Sequence, residues 1–126
     1  MKKSILFIAT CISLTALFSS CYSYQSNNVS VTINDDEDQY TLSAASSQER
    51  KTRAVQNYIN EYAGGATIIK SGRADATVTL DDETAFYIRS KRGKLKIKFD
   101  KEENSAAAYE KVKAMCEGIK EIVAEN

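Results

Sequence analysis

Residues 94–99 alternate without exception between lysine and a large apolar residue. Successive side chains of a β-strand point to opposite faces, so Leu95, Ile97 and Phe99 face a core while the lysines face away from it. A strand of this kind belongs in a sheet that is buried on one face and solvated on the other, which is typical of antiparallel sheets. The segment therefore constrains the chain to a sheet that is covered on one side only.

Further strands with the same alternation lie on both sides of this segment. Residues 29–33 and 40–44 flank an acidic turn, which predicts a hairpin. Residues 66–80, broken near their centre by a Ser-Gly pair, and residues 85–89 precede the lysine strand and predict a three-stranded meander with it.

Two amphipathic helices complete the pattern. The first is expected over residues 46–63, beginning at a capping box made by Ser46 and Glu49. The second is expected over residues 102–124, where apolar residues recur at helical spacing. The predicted order is β-β-α-β-β-β-α. We therefore expect an α+β fold, a two-layer sandwich in which an antiparallel sheet of about five strands packs against two helices.

The first residues of the chain are typical of an export signal and are kept apart from the fold. Lys2 and Lys3 precede an apolar stretch over residues 5–18, which is short for a membrane-spanning helix of about 20 residues. Small residues and then Cys21 follow. The run 17–21 resembles a bacterial lipobox, with Phe18 in place of the more usual Leu. An ordinary secretory signal and a retained anchor helix are the alternative interpretations.

The lipobox resemblance implies a lipoprotein that is cleaved before Cys21 and acylated on its sulfur and on its new amino group. Several acyl chains anchor a protein stably, so its first partner is the membrane itself. Residues 1–20 would then be the signal peptide, residues 21–28 the lipidated cysteine with a short polar tether, and residues 29–126 a single globular domain. No acidic residue directly follows the cysteine, which by the same resemblance favours the outer membrane, with the domain facing the periplasm.

Composition removes several classes of function. The chain has 17 basic and 17 acidic residues and no histidine. Balanced charge argues against a nucleic-acid partner, and the lack of histidine removes the commonest general base and metal ligand. The sequence contains no recognisable catalytic motif, so we expect no enzyme activity, no catalytic residues, no metal ligands and no cofactor.

The basic segment around the lysine strand is the candidate binding site. Its residues are close in sequence, and three of them share one face of a strand about 7 Å apart, where they can hold phosphates or another polyanion. Tyr87 on the preceding strand is a flat neighbour. Lysines on an edge strand that discourage unwanted pairing, or an ordinary solvated face, are the alternatives. The candidate residues are Arg89, Lys91, Arg92, Lys94, Lys96 and Lys98.

Three other features are expected to be structural. The acidic runs 35–38 and 81–83 lack the ligand spacing and the glycine of a calcium-binding EF-hand loop, so both predict solvated turns. Cys116 lies on the apolar stripe of the second helix and is expected in the core.

These observations together predict a non-catalytic, membrane-anchored lipoprotein of the bacterial cell envelope that acts as a binding or assembly module. Its partner would be an envelope protein or an anionic envelope component. A small histidine-free periplasmic hydrolase and an inhibitor or immunity lipoprotein are the alternatives. The sequence does not indicate the oligomeric state.

The lipobox resemblance makes a direct prediction about the mass of the protein. Protein isolated from membranes should have the mass of residues 21–126 plus acyl chains, and Cys21→Ala should abolish both cleavage and acylation, as intact mass spectrometry would show. Cys116→Ala is the matched control and should leave the acylated mass unchanged apart from the substitution. A native chain that is uncleaved or unacylated would contradict the resemblance.

Overall fold

The computed structural model of the chain describes residues 20–26, 28–65 and 67–125. The predicted signal segment before Ser20 lies outside them. A short 3-10 turn, Lys101–Glu103, precedes the last helix. The described residues form strands β1 (Ser20–Ser26), β2 (Val29–Asp35), β3 (Gln39–Ser46), β4 (Ala74–Thr79), β5 (Ala85–Lys91) and β6 (Lys94–Asp100), and helices α1 (Glu49–Tyr62) and α2 (Ala106–Ala124).

The strands of the described residues form one antiparallel sheet in the order β1-β2-β3-β6-β5-β4. The chain builds one half of the sheet, crosses the covered face as α1, and then builds the other half so that β6 pairs with β3. This arrangement confirms the predicted α+β fold with two helices and places the lysine strand inside the sheet.

The predicted number of five strands was wrong, because the described part of the chain has six. The additional strand is β1, which occupies most of the segment 21–28 that the sequence assigned to a polar tether. Tyr22 lies opposite Ile33 and Tyr24 lies opposite Val31, so the two tyrosines extend the helix-covered side of the sheet. Their alternation with small polar residues is the strand signal, and it is weak because the run is short and mostly polar.

Two element boundaries also differ from the prediction. Ser46 does not cap α1; it is the last residue of β3, and its Oγ accepts a hydrogen bond of 3.0 Å from the N–H of Gln48. Helix α1 begins at Glu49 without a side-chain cap. The strand expected to start near residue 66 begins at Ala74, after a tight turn closed by backbone hydrogen bonds between Lys70 and Arg73.

Both helices pack on the same face of the sheet and bury its apolar side chains. Among the helices of the described ranges, neither is long and apolar enough to cross a bilayer. Burial of each large side chain contributes about 1.5–3 kcal/mol to stability. Completely buried core residues include Val31 from β2, Leu42 from β3, Ile88 from β5, Ile97 and Phe99 from β6, Ile59 from α1, and Cys116 and Ile119 from α2.

The two helices are held together by close approach and by polar contacts. A Cβ on Gly118 would lie only 2.1 Å from the hydroxyl of Tyr58, so the glycine leaves the space that this tyrosine fills. The hydroxyl of Tyr62 donates to the carbonyl of Lys111 at 3.2 Å. The buried Lys51 donates to the carbonyl of Val123 at 2.7 Å, which satisfies an acceptor at the end of α2.

A tyrosine cluster closes the core at the other end of α2. The hydroxyl of Tyr109 donates to Asp35 at 2.5 Å, and the same carboxylate pairs with Lys101 at 2.5 Å. The rings of Tyr40 and Tyr109 meet edge to face with centroids 5.9 Å apart. The hydroxyl of Tyr40 is buried and has no hydrogen-bond partner among the described residues.

The cluster predicts opposite effects for two equivalent substitutions. Tyr40→Phe removes a buried hydroxyl without a partner, so the free energy of unfolding should stay the same or rise by about 1 kcal/mol. Tyr109→Phe removes a hydrogen bond to a carboxylate and should lower that free energy by about 1.5–3 kcal/mol. Urea unfolding at neutral pH measures the free energy of unfolding of both variants. Equal losses in the two variants would contradict the description of Tyr40 as unpartnered and Tyr109 as hydrogen-bonded.

Unfolding at alkaline pH gives a second test of the buried Tyr40. Burial raises the pKa of Tyr40 above the usual 10.0, so the folded state resists its ionisation. The stability that depends on neutral Tyr40 is therefore complete below the unfolded pKa and is lost as the pH rises above it. Tyr40→Phe should shift alkaline unfolding to higher pH.

Candidate functional site

The structure brings all six candidate residues together on the face of the sheet that the helices leave uncovered. We call this set the basic face: Arg89 and Lys91 on β5, Arg92 in the following turn, and Lys94, Lys96 and Lys98 on β6. Strand β6 lies between β3 and β5, so the explanation of these lysines as protection of a sheet edge is wrong.

The register sets cations directly opposite cations. Lys96 lies opposite Arg89, and Lys94 lies opposite Lys91. Like charges in such positions destabilise a sheet. None of the ion pairs within the described residues includes a member of the basic face; those pairs are Arg53–Glu49, Lys101–Asp35, Lys111–Asp82 and Lys120–Glu117. Within the described residues, no carboxylate therefore forms a contact ion pair with the basic face, although Asp75 on β4 lies opposite Arg89.

A rigid turn holds the two strands in this register. Arg92 and Gly93 both have positive φ angles, 51° and 79°, as in the two-residue turns that favour tight hairpins. A Cβ on Gly93 would lie 2.3 Å from the carbonyl oxygen of Ser46, so only glycine fits there. The carbonyl of Gly93 accepts a hydrogen bond of 2.9 Å from the N–H of Ser46, which ties the turn to β3.

A concavity of about 610 Å³ is lined by every residue of the basic face except Lys98 and extends across β3 to β2. Its far wall carries the hydroxyl groups of Ser30, Thr32 and Ser43. A second concavity, of about 320 Å³, extends to β4 and shares Arg89 and Lys91 with the first. The two depressions are neighbours that share these two side chains, and we call the pair the trough.

Tyr87 lies on the same face of the sheet, opposite Lys98 in the register, and neither residue lines the two concavities. Its hydroxyl donates to Asp75 on β4 at 2.7 Å, and this hydrogen bond is the main reason that its pKa is raised. The carboxylate of Asp75 lies opposite Arg89 in the register. The face therefore combines cations, hydroxyl groups and one carboxylate, all accessible from solvent.

Charge is separated between the two ends of the sheet. The end that carries the β5–β6 turn is basic, with Lys70 and Arg73 beside the basic face. The opposite end carries the end of β2, the β2–β3 turn, the β4–β5 turn and the 3-10 turn. Beside the basic Lys101, these contain the acidic residues Asp35, Asp36, Glu37, Asp38, Asp81, Asp82, Glu83, Glu102 and Glu103. A net charge of zero thus conceals a molecule with one basic and one acidic end.

The acidic turns use their carboxylates within the fold. Asp36 accepts hydrogen bonds from the N–H groups of Asp38 and Gln39 at 3.0 and 2.8 Å. Asp82 pairs with Lys111 at 2.8 Å, and its hydrogen bonds to Lys111 and Thr84 lower its pKa to about 2. Within the described ranges, no three His, Cys, Asp or Glu side chains are grouped as a metal site.

The two described cysteines lie in different environments. Cys116 is buried in the core, and this burial raises the pKa of its thiol. Cys21 is exposed in β1, opposite Asn34 in the register. Across the sheet, Asn34 lies opposite Thr41 and Thr41 lies opposite Lys98, so these residues form one row with Cys21. Cys21 therefore lies at the acidic end of the uncovered face.

Searches against protein-family models, curated proteins and solved structures find no match for this chain. Sequence reasoning grouped the basic residues correctly in space, but it missed Ser30, Thr32 and Ser43. Their positions alternate with the core residues of β2 and β3, and only the pairing of β3 with β6 brings them beside the lysines.

The register predicts that removal of one positive charge from the basic face increases stability in a salt-dependent way. Lys96→Gln relieves the contact with Arg89 and should raise the free energy of unfolding by about 0.2–1 kcal/mol at low salt. Screening at 1 M salt should abolish this gain. Lys98→Gln is the matched control, because Lys98 lies opposite Thr41 and Tyr87, and it should give a smaller change. Equal effects of both substitutions in denaturant unfolding would contradict the register argument.

Proposed function

We propose that this protein is a non-catalytic, membrane-anchored lipoprotein of the bacterial cell envelope that binds an anionic partner through its basic face. The observation that carries the proposal is the pairing of Lys96 with Arg89 and of Lys94 with Lys91 inside the sheet. Such an arrangement costs stability, and an anion between the strands would convert the repulsion into attraction.

The chemistry of the face favours binding over proton transfer. Lysine and arginine side chains in water keep their charge at neutral pH and bind anions through charge and hydrogen bonds. The thiol of Cys116 and the hydroxyl of Tyr109 have raised pKa values, lie in or beside the core and stay protonated there. On the uncovered face, the hydroxyl of Tyr87 also has a raised pKa, because it donates to Asp75. An assembly or binding role follows more naturally than hydrolysis.

The proposed anchor would hold the domain close to a membrane. The lipobox resemblance assigns acyl chains to Cys21, which lies within β1 (Ser20–Ser26), so no tether separates it from the sheet. Acylation there would hold the sheet directly at the bilayer. Residues after the cysteine favour the outer membrane with the domain in the periplasm.

Charge reversal tests the binding site. In protein isolated with its anchor, changing Lys94, Lys96 and Lys98 to Glu should weaken binding of inorganic polyphosphate by about 100-fold or more, because three attractive contacts become repulsive. Thermal unfolding should show no loss of stability, since the substitutions also remove repulsion from Arg89 and Lys91.

The matched control makes the same change in net charge outside the basic face. Arg50 and Arg53 on α1 and Lys113 on α2 lie on the helices that cover the other side of the sheet, so their replacement by Glu should leave the affinity within about threefold of the native value. Equal loss in both triple variants would show that only net charge matters. Unchanged binding after reversal of the three lysines would remove the basic face from the proposal.

A further inference from the structure

We infer that the ligand of the basic face is an extended anionic glycan that lies along the trough across the strands. This inference rests on the proposed function and names the chemical class of the partner. Three independent features of the structure support it: the shape and lining of the trough, the absence of an apolar anchor, and the position of Cys21 in the sheet.

The trough fits an extended ligand that presents both charge and hydroxyl groups. Its two concavities lie on either side of Arg89 and Lys91, so an extended ligand that crosses these two side chains would run from β2 to β4. Along this path the ligand would meet the hydroxyls of Thr32 and Ser43, then the cations of β6 and β5, and then the carboxylate of Asp75. Hydroxyls and a carboxylate accept hydrogen bonds from sugar O–H groups, while the cations neutralise acidic substituents.

A protein partner would require a different surface. The centre of a protein interface is normally an apolar or aromatic anchor that is buried on binding. Among the described residues, the exposed large apolar side chain is Tyr22, which is 36% exposed. Tyr22 is opposite Ile33 in the register, so it belongs to the helix-covered side and not to the trough. The trough thus offers charge and hydrogen bonds without such an anchor.

The layout of the sheet also argues against lipid headgroups. Cys21 lies in the row of Lys98, at the acidic end, and Lys94 lies four residues farther along β6, a distance of about 14 Å. This exceeds the screening length of about 8 Å at physiological salt. Anionic headgroups would repel the acidic turns beside the anchor, so the basic end points away from the bilayer.

Two polyanions with the same charged group separate a glycan from a polypeptide. Anchored protein in phosphatidylcholine nanodiscs should bind polygalacturonate about tenfold more tightly than poly-L-glutamate, the effect of one or two net hydrogen bonds to hydroxyl groups. Neutral dextran should not bind, because it lacks the charge. Binding can be measured by fluorescence anisotropy of labelled polymers at fixed salt.

Removal of the hydroxyl groups should erase the preference for the glycan. The double variant Thr32→Val with Ser43→Ala should bind the two polyanions equally, with unchanged affinity for poly-L-glutamate. Thr77→Val is the matched control, because Thr77 lies on the same face of the sheet but outside the trough. That variant should retain the preference.

A third arm tests the headgroups. In phosphatidylglycerol nanodiscs the affinity for polygalacturonate should stay within about twofold of its value in phosphatidylcholine, since the basic end is screened from the bilayer. A large loss there would identify headgroups as the occupant and overturn the inference. Equal affinity of the native protein for both polyanions, or a preference that survives the hydroxyl substitutions, would also overturn it. If neither polyanion binds, the proposed function itself is contradicted.

Discussion

The alternation of lysine with large apolar residues in β6 is the constraint on which the rest of the structure depends. Ile97 and Phe99 are completely buried, and each large side chain of this kind contributes about 1.5–3 kcal/mol to stability. A slip of one residue would bury three lysines instead, so the register of β6 against β3 and β5 is strongly fixed. The helices cover the apolar side, and the opposite side becomes a fixed row of cations.

The same strand accounts for the chemistry of the uncovered face. Core burial by β6 outweighs the repulsion of its cations from β5, which costs about 0.2–1 kcal/mol for each opposite pair. The fold can therefore hold Lys96 against Arg89 without unfolding. A bound anion would reduce the repulsion between these opposite cations, and for this reason we connect the basic face with anion binding.

Much of this arrangement could be predicted from the sequence. Strict alternation identified β6 and its two faces, helical spacing identified both helices, and local clustering identified the basic residues. The sequence could not order the strands, because the position of β6 beside β3 depends on contacts between residues far apart in the chain. The edge-strand explanation and the omission of Ser43 from the site both have this origin.

Local competition explains the other differences. Ser46 has the residue type and spacing of a helix cap, but pairing with Val29 keeps it in β3. The segment after the first helix has strand-like composition near Ile69, yet the turn at Ser71 and Gly72 delays β4 until Ala74. In β1, two tyrosines in a polar run are too weak a pattern to predict a strand. Their pairing with β2 nevertheless extends the sheet to the proposed anchor.

Lysine acetylation footprinting in native membranes tests the central claim most directly, because it does not require the ligand to be known. Lys94 and Lys96 should react slowly with a small acylating reagent in the intact envelope and faster after extraction at high salt. Lys113, on α2, is the internal reference and should react equally in both states. Equal reactivity of Lys94 and Lys96 before and after extraction would contradict an occupied basic face.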